Sequence, residues 1–294
     1  MIITNPYKRR DVFRCSQEAH GGFDGRVSAF HVLKEKNCHP QGCIYFVWHC
    51  VLMQKGRACI HKYSSPGRKC GGCTYFAEEK IHLQPRLLLP EDAFRGFLEE
   101  AERFDEWMRG VRYRRLSVAG RIHTVKPWVE QRILDRQTRT SLRGYLLVFR
   151  RGFIGLDEYR DSFYVRISER LMSRHGFIPR MRVELTGEIR EDRGRVVVHH
   201  PGQVEILSKG WGFPWTWDRA LVAVRTASLL SGQPDSCLEC PWGVLVDVTD
   251  ESGGEAEKFR RLFCLKGLQD PDGCYVKVLA GVRKEPRKPA AGTG

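Results

Sequence analysis

The sequence predicts a mainly β protein with some α, built as a five-stranded barrel-like segment between two small cysteine-rich metal-binding modules. Three observations lead there. Residues 38–73 hold six cysteines, Cys38, Cys43, Cys50, Cys59, Cys70 and Cys73. Residues 112–208 carry a succession of short apolar runs broken by glycine-containing turns, the pattern of half-buried strands. A second quartet, Cys237, Cys240, Cys264 and Cys274, stands near the other end. The organisation implied is a cysteine-rich module over 1–89, an amphipathic connecting helix over 90–111, the β segment over 112–208, a second module with a Trp-rich lead-in over 209–282, and a disordered basic tail over 283–294.

A chain of 294 residues is long enough for one to three domains and a sizeable core. Hydrophobic residues at 41% and charged residues at 29% exclude a wholly disordered protein. No run approaches the roughly 20 apolar residues of a membrane-spanning helix, so no membrane partner is expected. The N-terminus, MIITNPYKRRDVFRC, places its charges after a short apolar start, the reverse of a secretory signal, and a cytoplasmic location is the expectation. The net charge of +14 is uneven: +8 over residues 1–89, −4 over 90–110, +10 over 111–209 and zero over 210–294. A positive field concentrated on two segments favours a polyanionic partner, nucleic acid being the commonest; the bland alternative is a solubility excess.

Eleven cysteines in a reducing compartment point to metal before disulfides. The first cluster is spaced C-x4-C-x6-C-x8-C-x10-C-x2-C, with His39, His49 and His61 among its members. That density and irregular spacing argue against an ordinary packed helix or strand. Its clearest part is Cys70-Gly71-Gly72-Cys73, a C-x2-C whose glycines let the backbone turn tightly enough for both sulfurs to face one ion. Arg68 and Lys69 beside it favour thiolate. Cys59 with Cys50 or His61 is the natural completion, and Cys38, Cys43 and Cys15 with a histidine are candidates for a second site. Zinc suits the Gly-rich knuckle; a [4Fe–4S] cluster on four of the thiols, with a redox or sensing role, is the alternative.

Pro90-Glu91-Asp92 starts the clearest helix, with Phe94, Phe97, Leu98, Ala101, Phe104 and Trp107 as its apolar stripe and Gly110 as its end. In the β segment, strands are expected around Leu116–Ile122, Tyr145–Phe149, Phe163–Ile167, Val183–Ile189 and Val196–His199, the last continued or edged by Val204 and Ile206. A short helix is expected at Glu169–His175 and a turn at Asp192–Gly194. Five strands with a helix between the third and fourth is an order that resembles the OB-fold, and residues 112–208 look like such a domain. The resemblance implies single-stranded or structured nucleic acid bound on strands two and three and the adjoining loops. Arg121, Lys126 and Trp128 on or after strand one, Arg132, Arg136, Arg139 and Arg143 in the first connection, and Tyr164 and Arg166 on strand three are the candidate contacts, since arginine grips phosphate and aromatic rings stack on bases.

Residues 211–217, WGFPWTW, suggest a docking strap or protein-partner surface, most of its rings being expected in the interior. A short helix is expected over 220–230. Cys237-x2-Cys240 followed by Cys264-x9-Cys274 is zinc-ribbon-like, with Gly243–Asp250 and Phe259–Leu265 as two strands that return the second pair to the first. No Walker, Rossmann, zincin, deaminase or nucleophile-elbow motif occurs, and no catalytic residue is assigned.

Overall fold

The computed structural model describes residues 1–17, 20–21, 25–134, 137–252 and 256–276. Arg136 and the basic tail 283–294 lie outside them. Strand accounts for 42% and helix for 24%, so the molecule is mainly β with some α. It packs as two compact units, Asn5–Arg103 and Met1–Thr4 with Phe104–Gly294, and the boundary falls inside a helix.

In chain order the elements are β1 (Ile2–Ile3), β2 (Phe13–Arg14), β3 (Arg26–Val27), β4 (Cys43–Cys50), α1 (Val51–Gln54), β5 (Phe76–Leu83), β6 (Arg86–Leu87), α2 (Glu91–Val111), β7 (Arg115–Leu134), β8 (Gln137–Ile154), β9 (Asp157–Tyr159), β10 (Phe163–Ile167), α3 (Glu169–His175), β11 (Arg182–Glu191), β12 (Val196–Ser208), α4 (Trp217–Arg225), β13 (Ser228–Leu229), α5 (Asp235–Glu239), β14 (Gly243–Asp250) and β15 (Glu257–Cys264).

In the unit 5–103, β2 pairs with β3 and β6, and β4 with β5. Its core gathers Val12, Phe13, Cys15, Val27, Ala29, Val32, Cys38 and Phe97. Two expectations fail here. The dense cysteine stretch begins with a regular strand: CIYFVWHC, rich in aromatic and β-branched residues, forms all eight positions of β4, because side-chain shape favours the pleat whatever the cysteine spacing. The loosely alternating run Val27–Leu33 suggests a strand as well, but the strand stops at Val27, and one helical turn, His31–Glu35, follows. Ser28 starts that turn by accepting the His31 N–H at 3.3 Å, a local side-chain bond that competes with sheet pairing.

Helix α2 runs on through Gly110 to Val111. Phe97, Ala101, Phe104, Trp107 and Met108 are buried; Leu98 faces out at 44% exposure, one position off the stripe.

The second unit is organised by β7 and β8, strands of 20 and 18 residues. β7 pairs with β8, β8 with β10, β10 with β12, β12 with β11, and β11 back with β7. All of these pairings are antiparallel except β10–β12. Ile122, Leu147, Phe149, Phe163, Val165, Val183, Leu185, Ile189 and Val198 are buried, the alternate residues that the sequence pattern singled out. Helix α3 occupies the expected residues; Ser168 accepts the Leu171 N–H at its start and Gly176, at φ 57°, ends it, each the residue type its cap requires. The expected first connection, 130–143, is instead strand: β7 and β8 continue as a ribbon to Leu134 and Gln137, since Val129, Ile133, Thr138 and Thr140 are good strand formers.

Residues 209–276 do not fold apart from that sheet. β14 lies parallel to β7 from Asp247–Glu130 to Asp250–Ile133 and β15 and β13 follow outside it. The helix expected over 220–230 begins earlier, at Trp217, where Thr216 caps it, and ends at Arg225, where the Thr226 hydroxyl donates back to the Val222 carbonyl. β1 adds at the far edge, parallel to β9, its terminal ammonium 2.6 Å from Asp157. Among the described residues no helix is long and apolar enough to cross a membrane.

Candidate functional site

Strands β7, β8 and β10 present one face to the segment Leu238–Leu245, and between them lies a cleft of about 310 Å³. Leu146, Val148 and Leu245 give it apolar surface, and His123, Arg150, Arg160, Tyr164 and Arg195 give it polar and cationic groups. Lys126 ties its two sides together. This residue is buried, and its ammonium donates to the carbonyls of Leu238 at 2.9 Å and Gly243 at 2.7 Å. Burial pushes its pKa down to about 8. His123 is likewise held below the ordinary histidine value by burial, with Arg150 and Lys126 adding to the effect.

Beside the cleft is a small void of about 20 Å³, the size of one water molecule, walled by an ion network. Arg260 contacts Asp192 at 2.8 Å and Asp247 at 2.7 Å. Arg166 reaches Asp192 at 3.0 Å, lies 4.4 Å from the Trp128 ring centroid and is 3.2 Å from His199 Nε2. Burial, then Arg166, lower the His199 pKa to about 4, so this histidine is neutral and accepts from the guanidinium. The Trp128 Nε1 and Arg166 Nε are buried without a hydrogen-bond partner among the described residues. Arg195 borders both spaces. It lies 5.2 Å from the Tyr164 centroid and makes no ion pair or side-chain hydrogen bond among the described residues; burial lowers its pKa.

The candidate nucleic-acid contacts therefore separate into two groups. Lys126, Trp128, Tyr164 and Arg166 sit in or beside the cleft and the network, and Lys126 and Arg166 are already engaged with the protein's own carbonyls and carboxylates. Arg121, Arg132, Arg139 and Arg143 are exposed. Arg121 donates to the Arg180 carbonyl at 3.2 Å, Arg132 pairs with Glu251 at 2.7 Å, and Arg143 with Glu130 at 3.3 Å. Arg150, Arg160 and Arg195 are cleft residues that the sequence pattern did not indicate. They come from three different strands or turns, and no local motif marks them.

The cysteines also divide. No disulfide joins any of the eleven cysteines. Cys43 and Cys50 are the two ends of β4, so about 23 Å of strand separates them at roughly 3.3 Å per residue, and one ion or cluster cannot bind both. Cys15, Cys38 and Cys43 belong to the apolar core. Burial raises the Cys38 pKa, and the neighbouring Cys43 and Cys15 raise it further. Beyond the other end of β4, the Cys73 N–H donates to the Cys70 carbonyl at 3.0 Å and the Lys62 N–H to the Cys59 carbonyl at 3.0 Å, two tight turns with Gly72 at φ 84°. His61 is exposed. In the second quartet the β14–β15 register sets Cys264 opposite Gly243, and Cys264 packs against the cluster of Leu230, Cys237 and Leu262. Gly243 is essential there: a Cβ would lie 1.8 Å from the Cys237 carbonyl. Cys274 is buried. Among the described residues no three His, Cys, Asp or Glu side chains form a group that could hold a metal ion.

The aromatic strap splits in two. Trp215 donates its indole N–H to the Val125 carbonyl at 3.0 Å and packs edge-on against Trp242, while Trp217 packs against Tyr145. Trp211 and Phe213 are 63% and 88% exposed, against the expectation that most of the rings are interior. No family model, no curated protein and no solved structure matches this chain.

Proposed function

We propose that this protein binds single-stranded or structured nucleic acid through an OB-type barrel formed by β7, β8, β10, β11 and β12, and that the two cysteine groups hold structural zinc. One observation carries the reading: the circuit of strand pairings, first-second-third-fifth-fourth-first, with α3 between the third and fourth. That is the order of an OB-fold, whose usual ligands lie against strands two and three. The cationic cleft stands on that face, and exposed Arg132, Arg139 and Arg143 extend the positive surface along the β7–β8 ribbon. Residues Cys59, Cys70 and Cys73 on tight turns, and Cys237, Cys240 and Cys264 on segments that meet at the Gly243–Cys264 end of the β14–β15 hairpin, have the donor chemistry that zinc takes; the metal would stabilise small modules with little core of their own.

Fluorescence anisotropy with 12-nucleotide single strands of DNA and RNA tests the first half. Binding whose affinity falls steeply between 50 and 200 mM salt is expected, and absence of binding at low salt refutes it. Metal analysis of protein purified without air tests the second. Colourless protein with stoichiometric zinc is expected; a brown protein absorbing in the visible belongs to an iron–sulfur cluster instead.

A further inference from the structure

We propose that the cleft over β7, β8 and β10 is a single-nucleotide site, taking a nucleoside phosphate either free or as the terminal nucleotide of a strand. The proposal rests on the nucleic-acid reading above and narrows it. At about 310 Å³ the cleft is at the small end of ligand pockets, with room for one nucleotide and not for a run of them. The segment Leu238–Leu245 forms its far side and is pinned to β7 by Lys126, so a strand enters by its end and does not lie across the face.

The lining divides as such a ligand divides. Leu146 and Leu245 offer apolar surface to a base, and Arg150, Arg160 and Arg195 offer charge to a phosphate. Arg150 and Arg160 each have one carboxylate partner, Glu239 at 3.1 Å and Glu158 at 2.9 Å. Arg195 has none among the described residues, although it is the deepest of the three and rests on Tyr164. A planar guanidinium that makes no direct ion pair among the described residues is matched by a phosphate that accepts two parallel hydrogen bonds. His123 adds a ring nitrogen for a base or ribose edge.

The test uses the full-length protein and the variants Arg195→Gln and Arg160→Gln. Calorimetry with AMP, CMP, the matching nucleosides and inorganic phosphate reads the free-ligand arm. Anisotropy with 12-nucleotide strands ending in 5′-phosphate, 3′-phosphate or hydroxyl reads the strand-end arm. Nucleotide binding weakened at least tenfold by either variant, with nucleosides and phosphate alone at least tenfold weaker than the nucleotide, supports the proposal. A tenfold preference for phosphorylated ends, lost in the variants, assigns the ligand to strand termini. Arg160 is exposed, so its variant carries the readout should Arg195→Gln fail to fold. Strands that bind regardless of their ends, together with no nucleotide binding, overturn the single-nucleotide site and leave the nucleic-acid reading standing. Nucleotide binding without strand binding does the reverse. Phosphate binding as tightly as nucleotide reduces the cleft to an anion site and overturns the proposal.

Discussion

Arg260 stands between Asp192 on the β11–β12 turn and Asp247 on β14, with a side chain only 12% exposed. Burial opposes its charge, but the two carboxylates overcome that cost and raise its pKa. Arg260→Met removes the cation that pairs directly with both acids, and a loss of about 3–5 kcal/mol is expected for breaking a buried pair from one side. Urea unfolding of both proteins checks this; a loss under about 1 kcal/mol would mean the network is solvated. His199 gives a pH signature. Its folded pKa is about 4 against an ordinary 6.5. Above 6.5 it is neutral in both states and contributes nothing. As the pH falls from 6.5 to 4 the unfolded chain takes up a proton that the folded chain resists, so stability is lost, by up to about 3 kcal/mol. In His199→Asn that fraction of the acid loss should vanish, and parallel stability curves for variant and wild type across this window would show that the histidine is not held neutral.

At the scale of elements, the sequence rules for caps and bends hold where they are purely local. Ser168→Ala removes the side-chain acceptor for Leu171 N–H and should cost about 1 kcal/mol, read as a lowered thermal midpoint. Gly187 shows a different need. It lies where the β11–β12 register shifts, and a Cβ there would come within 2.3 Å of Val198 Cγ1. Gly187→Ala should cost roughly 1–3 kcal/mol through overpacking, whereas Gly110→Ala in α2, with nothing within 4 Å of a Cβ, should stabilise by up to about 1 kcal/mol. Equal shifts from the two substitutions would reject the packing argument. The cause of this requirement, a valine on the neighbouring strand, was not legible in the sequence, because register with β12 is a long-range property.

For the whole molecule, the division at Arg103–Phe104 predicts two unfolding transitions in calorimetry. Cys70→Ser, or a strong chelator, should lower the transition of the unit that contains β4 and β5 and leave the other within about 2 °C, because a lost ligand removes the metal's share of the folding free energy. A single transition unmoved by either treatment would deny the knuckle a structural metal. Residues 209–276 share a fate with β7: Val129 packs with Val244, Val246, Val248 and Leu265, so a chain ending at Ser208 exposes that cluster and should aggregate.

Much of this was open to reading from residue order alone. Apolar runs, alternating in the first, third and fourth and continuous in the second, marked the circuit strands, the short helix Glu169–His175 was legible, and the cysteines announced themselves by density. These signals are local, because propensity, capping and period act within a few residues. Lys126, Trp128, Tyr164 and Arg166 were singled out as candidate nucleic-acid contacts, and their surroundings belong to distant segments: Leu238 and Gly243 for Lys126, Asp192 for Arg166. Arg195 carried no signal at all. By itself, then, the sequence determined the central strands of the second unit, α2 and α3, and where charge and thiols concentrate. Only the tertiary structure decided that β4 holds Cys43 and Cys50 apart, that the strap keeps two rings in and two out, and that three arginines meet at one cleft. Strand pairing and burial are set by contacts a hundred residues apart, and no local period encodes them.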